Sequence, residues 1–357
     1  MRWELSQDQE MYRESMRGWV EKFAPSDAVR GWFDSGDSSD FDSKFVSEGW
    51  FSVGLSEEIG GQGGGLLELA LTAVELARCA APSSAWTASV LAAPLLPPDL
   101  AEKVLQSGEF AAVVADSSRP LDAPPTLAVT GNVVTGVVAS VLGADRADHL
   151  VVPVAGADGV QLVSVASSAP GVSVERSVLL DRSRSVATVR FEGVAVEPLE
   201  AGAGALSEAS LASAVLTAAD SLGAMEKMLE LAVEYSKTRH QFGVPIGSFQ
   251  AVKHVAAAIL VSVEAARSIV YYAAESVHTG HEERALHAAT AKAQVTASGV
   301  GAADSALTIH GAVGYTWEHD LHLFYKRAKL DENLFGAPAV WNERIAEALP
   351  LLPNVAV

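Results

Sequence analysis

Apolar positions recur at helical spacing up to about residue 108, fall into short valine-rich runs to about residue 198, and return to helical spacing from about residue 199. Over residues 7–23, Met11, Met16, Trp19, Val20 and Phe23 sit near helical spacing with acids among the early positions, which predicts a first helix. A short helical or loop element begins at Phe45. Residues 66–81 and 83–93 predict two further helices, the second stopped by Pro94, Pro97 and Pro98, and a short one over 100–107 ends at Gly108. The glycine cluster from Gly54 to Gly65 is followed by no Lys-Ser/Thr and preceded by no clear strand, so it reads as a flexible turn and not as a phosphate cradle.

Residues 110–115, 126–129, 133–141, 149–153, 159–165 and 186–191 predict the strands of a small antiparallel β domain. Gly131-Asn132 and Gly156-Ala157-Asp158-Gly159 mark two of its hairpin turns. Beyond it, residues 206–238 carry Leu211, Val215, Ala218, Leu222, Met225, Leu229 and Ala232 three and four apart, on one helix face. Residues 252–279 and 282–309 predict a second and third helix, and 319–330 and 337–349 complete the set. Long alanine-rich helices with short connections predict an antiparallel bundle. The expected fold class is therefore α+β and mostly α, with a helical domain over 1–108, a β domain over 109–198 and a C-terminal helical bundle over 199–357.

Composition narrows the function. The chain has 357 residues, 49% apolar and 19% charged, which suits two or three packed units. Its 25 basic and 44 acidic side chains give a formal charge of −19, which repels phosphate backbones and anionic lipid and argues against nucleic-acid and membrane partners. No uninterrupted run of about 18 strongly apolar residues is seen, so no membrane span is expected. Cys79 is the single cysteine, which excludes a disulfide framework within the chain, and the start at Trp3, Glu4 and Asp8 lacks the pattern of a signal segment. Both point to the cytoplasm.

The chemistry concentrates where two helical patterns break. Between residues 236 and 250 stand Arg239, a planar fork of donors suited to phosphate or carboxylate, Phe242, a face for a flat ring, and Gln250, both donor and acceptor. These residues suit a grip on a nucleotide-like ligand; the alternative is a polar interhelical loop whose arginine pairs with a local acid. The second break is His310-Gly311-Ala312-Val313-Gly314. The two helices between the breaks are of similar length, about 42 Å each at the usual rise, so the chain returns near its starting point and His310 can face the same ligand as Arg239. His319 and His322 lack signs of a third metal ligand, and no metal is expected. No G-x-S-x-G elbow or strand-borne G-x-G-x-x-G is present.

Across nearly its whole length the sequence resembles the acyl-CoA dehydrogenase family. The motifs that carry the resemblance are Arg239-His240-Gln241-Phe242-Gly243 with Phe249-Gln250-Ala251-Val252-Lys253-His254, His310-Gly311-Ala312-Val313-Gly314-Tyr315-Thr316-Trp317-Glu318, Tyr325-Lys326-Arg327-Ala328-Lys329 and the glycine run from Gly54 to Gly63. The resemblance implies FAD as cofactor and an acyl-CoA thioester as substrate, oxidised to 2-enoyl-CoA, with electron-transfer flavoprotein as acceptor. It implies that Arg239, Gln241, Phe242, Phe249 and Gln250 hold the adenosine-pyrophosphate end of a neighbouring subunit's FAD, and that the backbone at His310–Gly314, with His310, Gly311 and Gly314, lines its adenine and ribose. Thr308 stands where the family usually has Gln. The family's segments around its own isoalloxazine have no convincing counterpart in residues 113–120 and 137–144.

The family's two positions for the catalytic carboxylate fall on Phe335 and Ser213, neither of which serves as a base near neutral pH. Glu208 and Asp220 are the other acids considered, on the same helix as Ser213. The implied reading is the smaller, non-catalytic subunit of an actinobacterial α2β2 acyl-CoA dehydrogenase of the steroid side-chain type. FAD would be shared at a subunit interface and the catalytic Glu would belong to the partner. A complete homotetrameric enzyme with a displaced base, and a flavin-free scaffold of the same fold, are the alternatives.

Overall fold

The computed structural model describes residues 4–156 and 159–349. Helix α1 (Gln7–Phe23) starts where Ser6 and Gln9 exchange side-chain and backbone hydrogen bonds of 3.2 and 3.0 Å, satisfying two otherwise orphaned N–H groups. It joins α2 (Ser26–Ser35), α3 (Ser39–Ser47), α4 (Leu66–Arg78), α5 (Ser84–Ala92) and α6 (Pro98–Gln106) around Trp19, Phe41, Phe45, Phe51 and Trp86. Helix α2 was not anticipated from the sequence.

The β layer has eight strands: β1 (Ala111–Val113), β2 (Leu127–Thr130), β3 (Val133–Leu142), β4 (His149–Gly156), β5 (Gly159–Ala166), β6 (Val172–Ser177), β7 (Val186–Ala195) and β8 (Glu197–Gly202). The path runs β6-β7-β3-β2-β4-β5-β8, with β1 also on β4. The expected antiparallel domain is corrected to a mixed one, since β1 and β2 both pair with β4 in parallel. Gly131, at φ 62°, makes the expected turn between β2 and β3. Ala157 and Asp158 of the other expected turn lie outside the described residues, as does Trp3; the flanking Gly156 and Gly159 pair across β4 and β5.

The bundle comprises α7 (Ala203–Thr238), α8 (Gln250–His278), α9 (Arg284–Thr290), α10 (Thr296–His310), α11 (Leu321–Asn333) and α12 (Pro338–Ala348). Its small residues permit backbone contact: a Cβ on Gly223 of α7 would stand 2.2 Å from the Val74 carbonyl oxygen of α4. The single helix expected over 282–309 is instead α9 and α10 joined by a π-helical turn, Ala291–Val295, which contains the buried Lys292. Against the expectation of no membrane-length apolar stretch, α8 is long and apolar enough by composition to cross a bilayer. In the fold it is a bundle helix, packed through Ile259, Val263, Ala266 and Val270.

Candidate functional site

Helix α7 ends at Thr238, and the chain turns back on a two-residue ribbon in which Gln241 pairs with Val244 and His240 with Pro245. Phe242 and Gly243 form the tip at φ 53° and 80°. Such a tight turn needs positive φ at both central residues, free for glycine and strained for phenylalanine by roughly 1–2 kcal/mol. The strain holds the Phe242 ring in solvent, 92% exposed, edge-to-face with Phe249 at 6.1 Å. Arg239 and Gln250 are exposed, and among the described residues neither side chain has a hydrogen bond or ion pair. The polar-loop alternative, with Arg239 paired to a local acid, is therefore not what the structure shows. Gln241 turns its amide onto the His240 carbonyl at 2.9 Å.

The second break lies at the same end of the bundle. His310 stacks on Tyr235 of α7 with ring centroids 4.7 Å apart, and His319 meets His310 edge-on at 4.6 Å. The imidazole of His310 is only 3% exposed and its Nδ1 lies 2.8 Å from the Ala306 carbonyl, so it faces inward. This corrects the expectation that the side chain meets a ligand: burial pulls it below the ordinary imidazole value, and it ties the two breaks together as a neutral ring. Gly314 is likewise buried, with space for a Cβ denied by Leu307 at 2.8 Å and Leu321 at 3.0 Å. Gly311, Ala312 and Val313 are exposed.

The positions considered for a base lie elsewhere, and none is free. Phe335 is 2% exposed at φ 56°, with its N–H donated to the Ser117 carbonyl and its carbonyl accepting from Trp341 Nε1 at 2.9 Å. Ser213 is buried, its hydroxyl donating to the Ser210 carbonyl at 2.7 Å. Glu208 is surface-exposed and engages Arg284 at 2.7 Å. Asp220 accepts both Nε and Nη2 of Arg327 at 2.7 Å and also contacts Arg184. Burial opposes the Asp220 charge, but Arg184 and Arg327 outweigh it and hold the carboxyl below its ordinary range, so it is a poor proton acceptor. Burial, with the neighbouring Asp220 charge, pushes Asp331 well above the ordinary carboxylate value.

Sequence reasoning missed this network because its members lie far apart in the chain. Arg327 also donates to the Ala81 carbonyl at 2.9 Å and to the Ser183 and Ser83 hydroxyls at 3.0 Å, so one guanidinium joins all three layers. Beside it, the Lys292 ammonium donates to the carbonyls of Asp331, Glu332 and Gly336 at 2.8–3.1 Å, fixing the turn that carries Phe335. Burial lowers this lysine to about 8. Asp116, Arg119, Pro120 and Val138 border a cavity of about 30 Å³, room for a water or two but not for a tricyclic ring. Ser117 N–H closes onto the Ser140 carbonyl at 3.0 Å, drawing the two segments together.

Comparison with known proteins agrees with this layout. The acyl-CoA dehydrogenase N-terminal domain model matches residues 6–97 and the C-terminal domain model residues 201–349. Acyl-CoA dehydrogenase IpdE2 of Mycobacterium tuberculosis is 32% identical over 338 residues, covering 93% of this chain and 94% of IpdE2. FadE34 of the same organism is 30% identical over 96% of this chain but 48% of its own length, so the chain spans about half of that relative. Among solved structures, a chain of the ChsE4–ChsE5 complex from Mycobacterium tuberculosis superposes with a TM-score of 0.89 at 24% identity, over 99% of this chain and 100% of that one. A chain of a variant of the Tcur3481–Tcur3483 steroid ACAD follows at 0.86 and 24%, over 96% and 97%. At such identities the superpositions speak for the fold. With both helical layers matched by the family's own models and IpdE2 aligned almost end to end, the chain belongs to the acyl-CoA dehydrogenase family.

Proposed function

We propose that this chain is the non-catalytic subunit of a hetero-oligomeric, FAD-dependent acyl-CoA dehydrogenase, and that it completes the flavin site of a partner subunit carrying the catalytic Glu. The observation that carries the reading is the state of the base positions: Phe335 and Ser213 are not acids, and Asp220 is locked between two arginines. Bound FAD would supply the oxidation of the thioester to 2-enoyl-CoA. Arg239 would pair with its pyrophosphate in the forked geometry that suits phosphate oxygens, and Phe242 with Phe249 would pack on the cofactor. Gln250 would hydrogen-bond nearby, and the backbone of residues 311–313 would line the adenine and ribose. The residues fit the group, because an unpaired guanidinium and an exposed strained ring are groups still lacking their partner.

The two-protein complexes among the structural relatives support a hetero-oligomer, and the steroid ACAD among them supports a steroid side-chain CoA thioester as substrate, held mainly by the partner. Electron-transfer flavoprotein is the proposed acceptor and the cytoplasm the proposed location. The test is co-expression with a dehydrogenase subunit encoded nearby, followed by flavin quantitation. The expected result is about one FAD per pair of chains, with occupancy lowered by Arg239→Ala. A lone chain that purifies fully flavinated and oxidises an acyl-CoA would overturn the reading, as would a flavin-free hetero-complex.

A further inference from the structure

The backbone assigned above to the adenine and ribose belongs to the break between α10 and α11, residues 311–320. Most of what shapes it is local. Val313 lends its carbonyl to both the N–H and the hydroxyl of Thr316, at 3.0 and 2.9 Å, and Gly314 is wedged against Leu307 and Leu321. The Lys326 ammonium stands 4.0 Å above the Trp317 ring. All of these contacts come from the break itself or from the bundle.

Helix α2 is the exception. It buries Val29 and Phe33 in the N-terminal core, while Ser26 and Arg30, four residues apart and so neighbours on one face, reach the break. Arg30 donates Nη1 to the Trp317 carbonyl, and Nη2 and Nε to one oxygen of Asp320 at 2.6 and 3.2 Å; the Ser26 hydroxyl donates to the same oxygen at 2.6 Å. Among the described residues, no other polar side chain of the N-terminal helices or the β layer hydrogen-bonds this segment. Burial opposes the Asp320 charge, but Ser26 and Arg30 outweigh it and hold the carboxyl below its ordinary range. Asp320 directly precedes α11, so one guanidinium grips both a carbonyl of the break and the entry to the next helix. A simple exposed ion pair would fix little; a planar fork shared between two acceptors fixes direction.

We propose that Arg30 is a positioning residue for flavin binding: by holding Trp317 and Asp320 it sets the course of the backbone at residues 311–313, and so favours FAD over a flavin that lacks the adenosine. The path is short, because Thr316, hydrogen-bonded to Val313, is the residue before the anchored Trp317 carbonyl. The inference rests on the flavin reading above and adds to it that the N-terminal layer, through α2, tunes a site borne by the bundle.

The test is titration of the hetero-complex, freed of its flavin by dialysis, with FAD and with FMN, followed by flavin fluorescence. Arg30→Ala should weaken FAD binding by about tenfold, the scale of one charge-assisted hydrogen bond, and leave FMN affinity unchanged. Arg30→Lys, which keeps the charge and loses the fork, should recover only part of the FAD preference. If Arg30→Ala does not assemble, Arg30→Lys and Asp320→Asn carry the same comparison, each expected to narrow the preference. Arg344→Ala controls for simple docking of layers: it removes a comparably exposed fork on Asp122, at 2.7 and 3.2 Å, which has no partner in the break, and should lower the melting temperature without changing the preference. An Arg30→Ala complex that loses FAD and FMN alike, or that only melts earlier as Arg344→Ala does, would overturn the inference and leave the flavin reading standing, provided Arg239→Ala still weakens FAD. A complex that binds no FAD, or one indifferent to Arg239→Ala, would overturn both.

Discussion

Two parts of this molecule treat an arginine in opposite ways. At the end of α7, Arg239 stands in solvent without a partner, beside a phenylalanine held outward by a strained turn. In the centre, Arg327 is wholly buried and spends five hydrogen bonds on Asp220, Ala81, Ser183 and Ser83. The first arrangement leaves donors open to something outside the chain. The second consumes every donor within it. Side-chain satisfaction, more than residue identity, separates an arginine left open from a structural one.

The contrast can be broken at several points. The largest effect is expected from Asp220→Ala, which leaves Arg327 and Arg184 buried with reduced compensation; the loss should be about 3–5 kcal/mol in denaturant unfolding. Next is Lys292. Its folded value, lowered to about 8, lies below that of an unfolded lysine near 10.5. The unfolded chain therefore binds more protons between these values, and stability should rise with pH across that window, by about 3 kcal/mol from this group. Lys292→Met should remove the rise, read as the wild-type-minus-variant difference in unfolding free energy from pH 7 to 10.5.

At the open end, stability and binding should part company. Phe242→Asn places a residue tolerant of positive φ in the turn and should stabilise the chain by about 1 kcal/mol in thermal melting, while lowering the flavin content of the hetero-complex. If Phe242→Asn instead left flavin content untouched, the exposed ring would have no part in the site. The smallest effect belongs to Glu208→Ala. Its exposed pair with Arg284 should contribute no more than about 0.5 kcal/mol by chemical denaturation.

Much of the fold was legible because helical period and valine-rich alternation are local signals. The bounds of α1 and the start of α4 follow directly from them. Strands β6 and β8 were missed because they are mostly exposed edge strands, with too few buried positions to show an alternating pattern. The candidate site was legible as motifs: Arg239, Phe242 and Gln250 stand out by residue type. What the motifs do not encode is direction. A glycine break locates His310 but says nothing of the ring turning inward onto Tyr235, which is fixed by packing between residues 75 positions apart. The pairing of Asp220 with Arg327 was illegible for the same reason, and it removed an acid that the sequence had left available.

Arg327 also bears on how the chain is made. Its donors meet Ser83 across 244 residues of sequence and Ala81 across 246. At ordinary rates of synthesis, about 5–20 residues per second, these acceptors leave the ribosome roughly 12–50 s before the guanidinium that satisfies them. Until then the seam between the layers lacks its central charge, and the aromatic-rich N-terminal helices wait beside an unfinished partner surface. Docking of the three layers around this guanidinium thus waits for α11 to be synthesised.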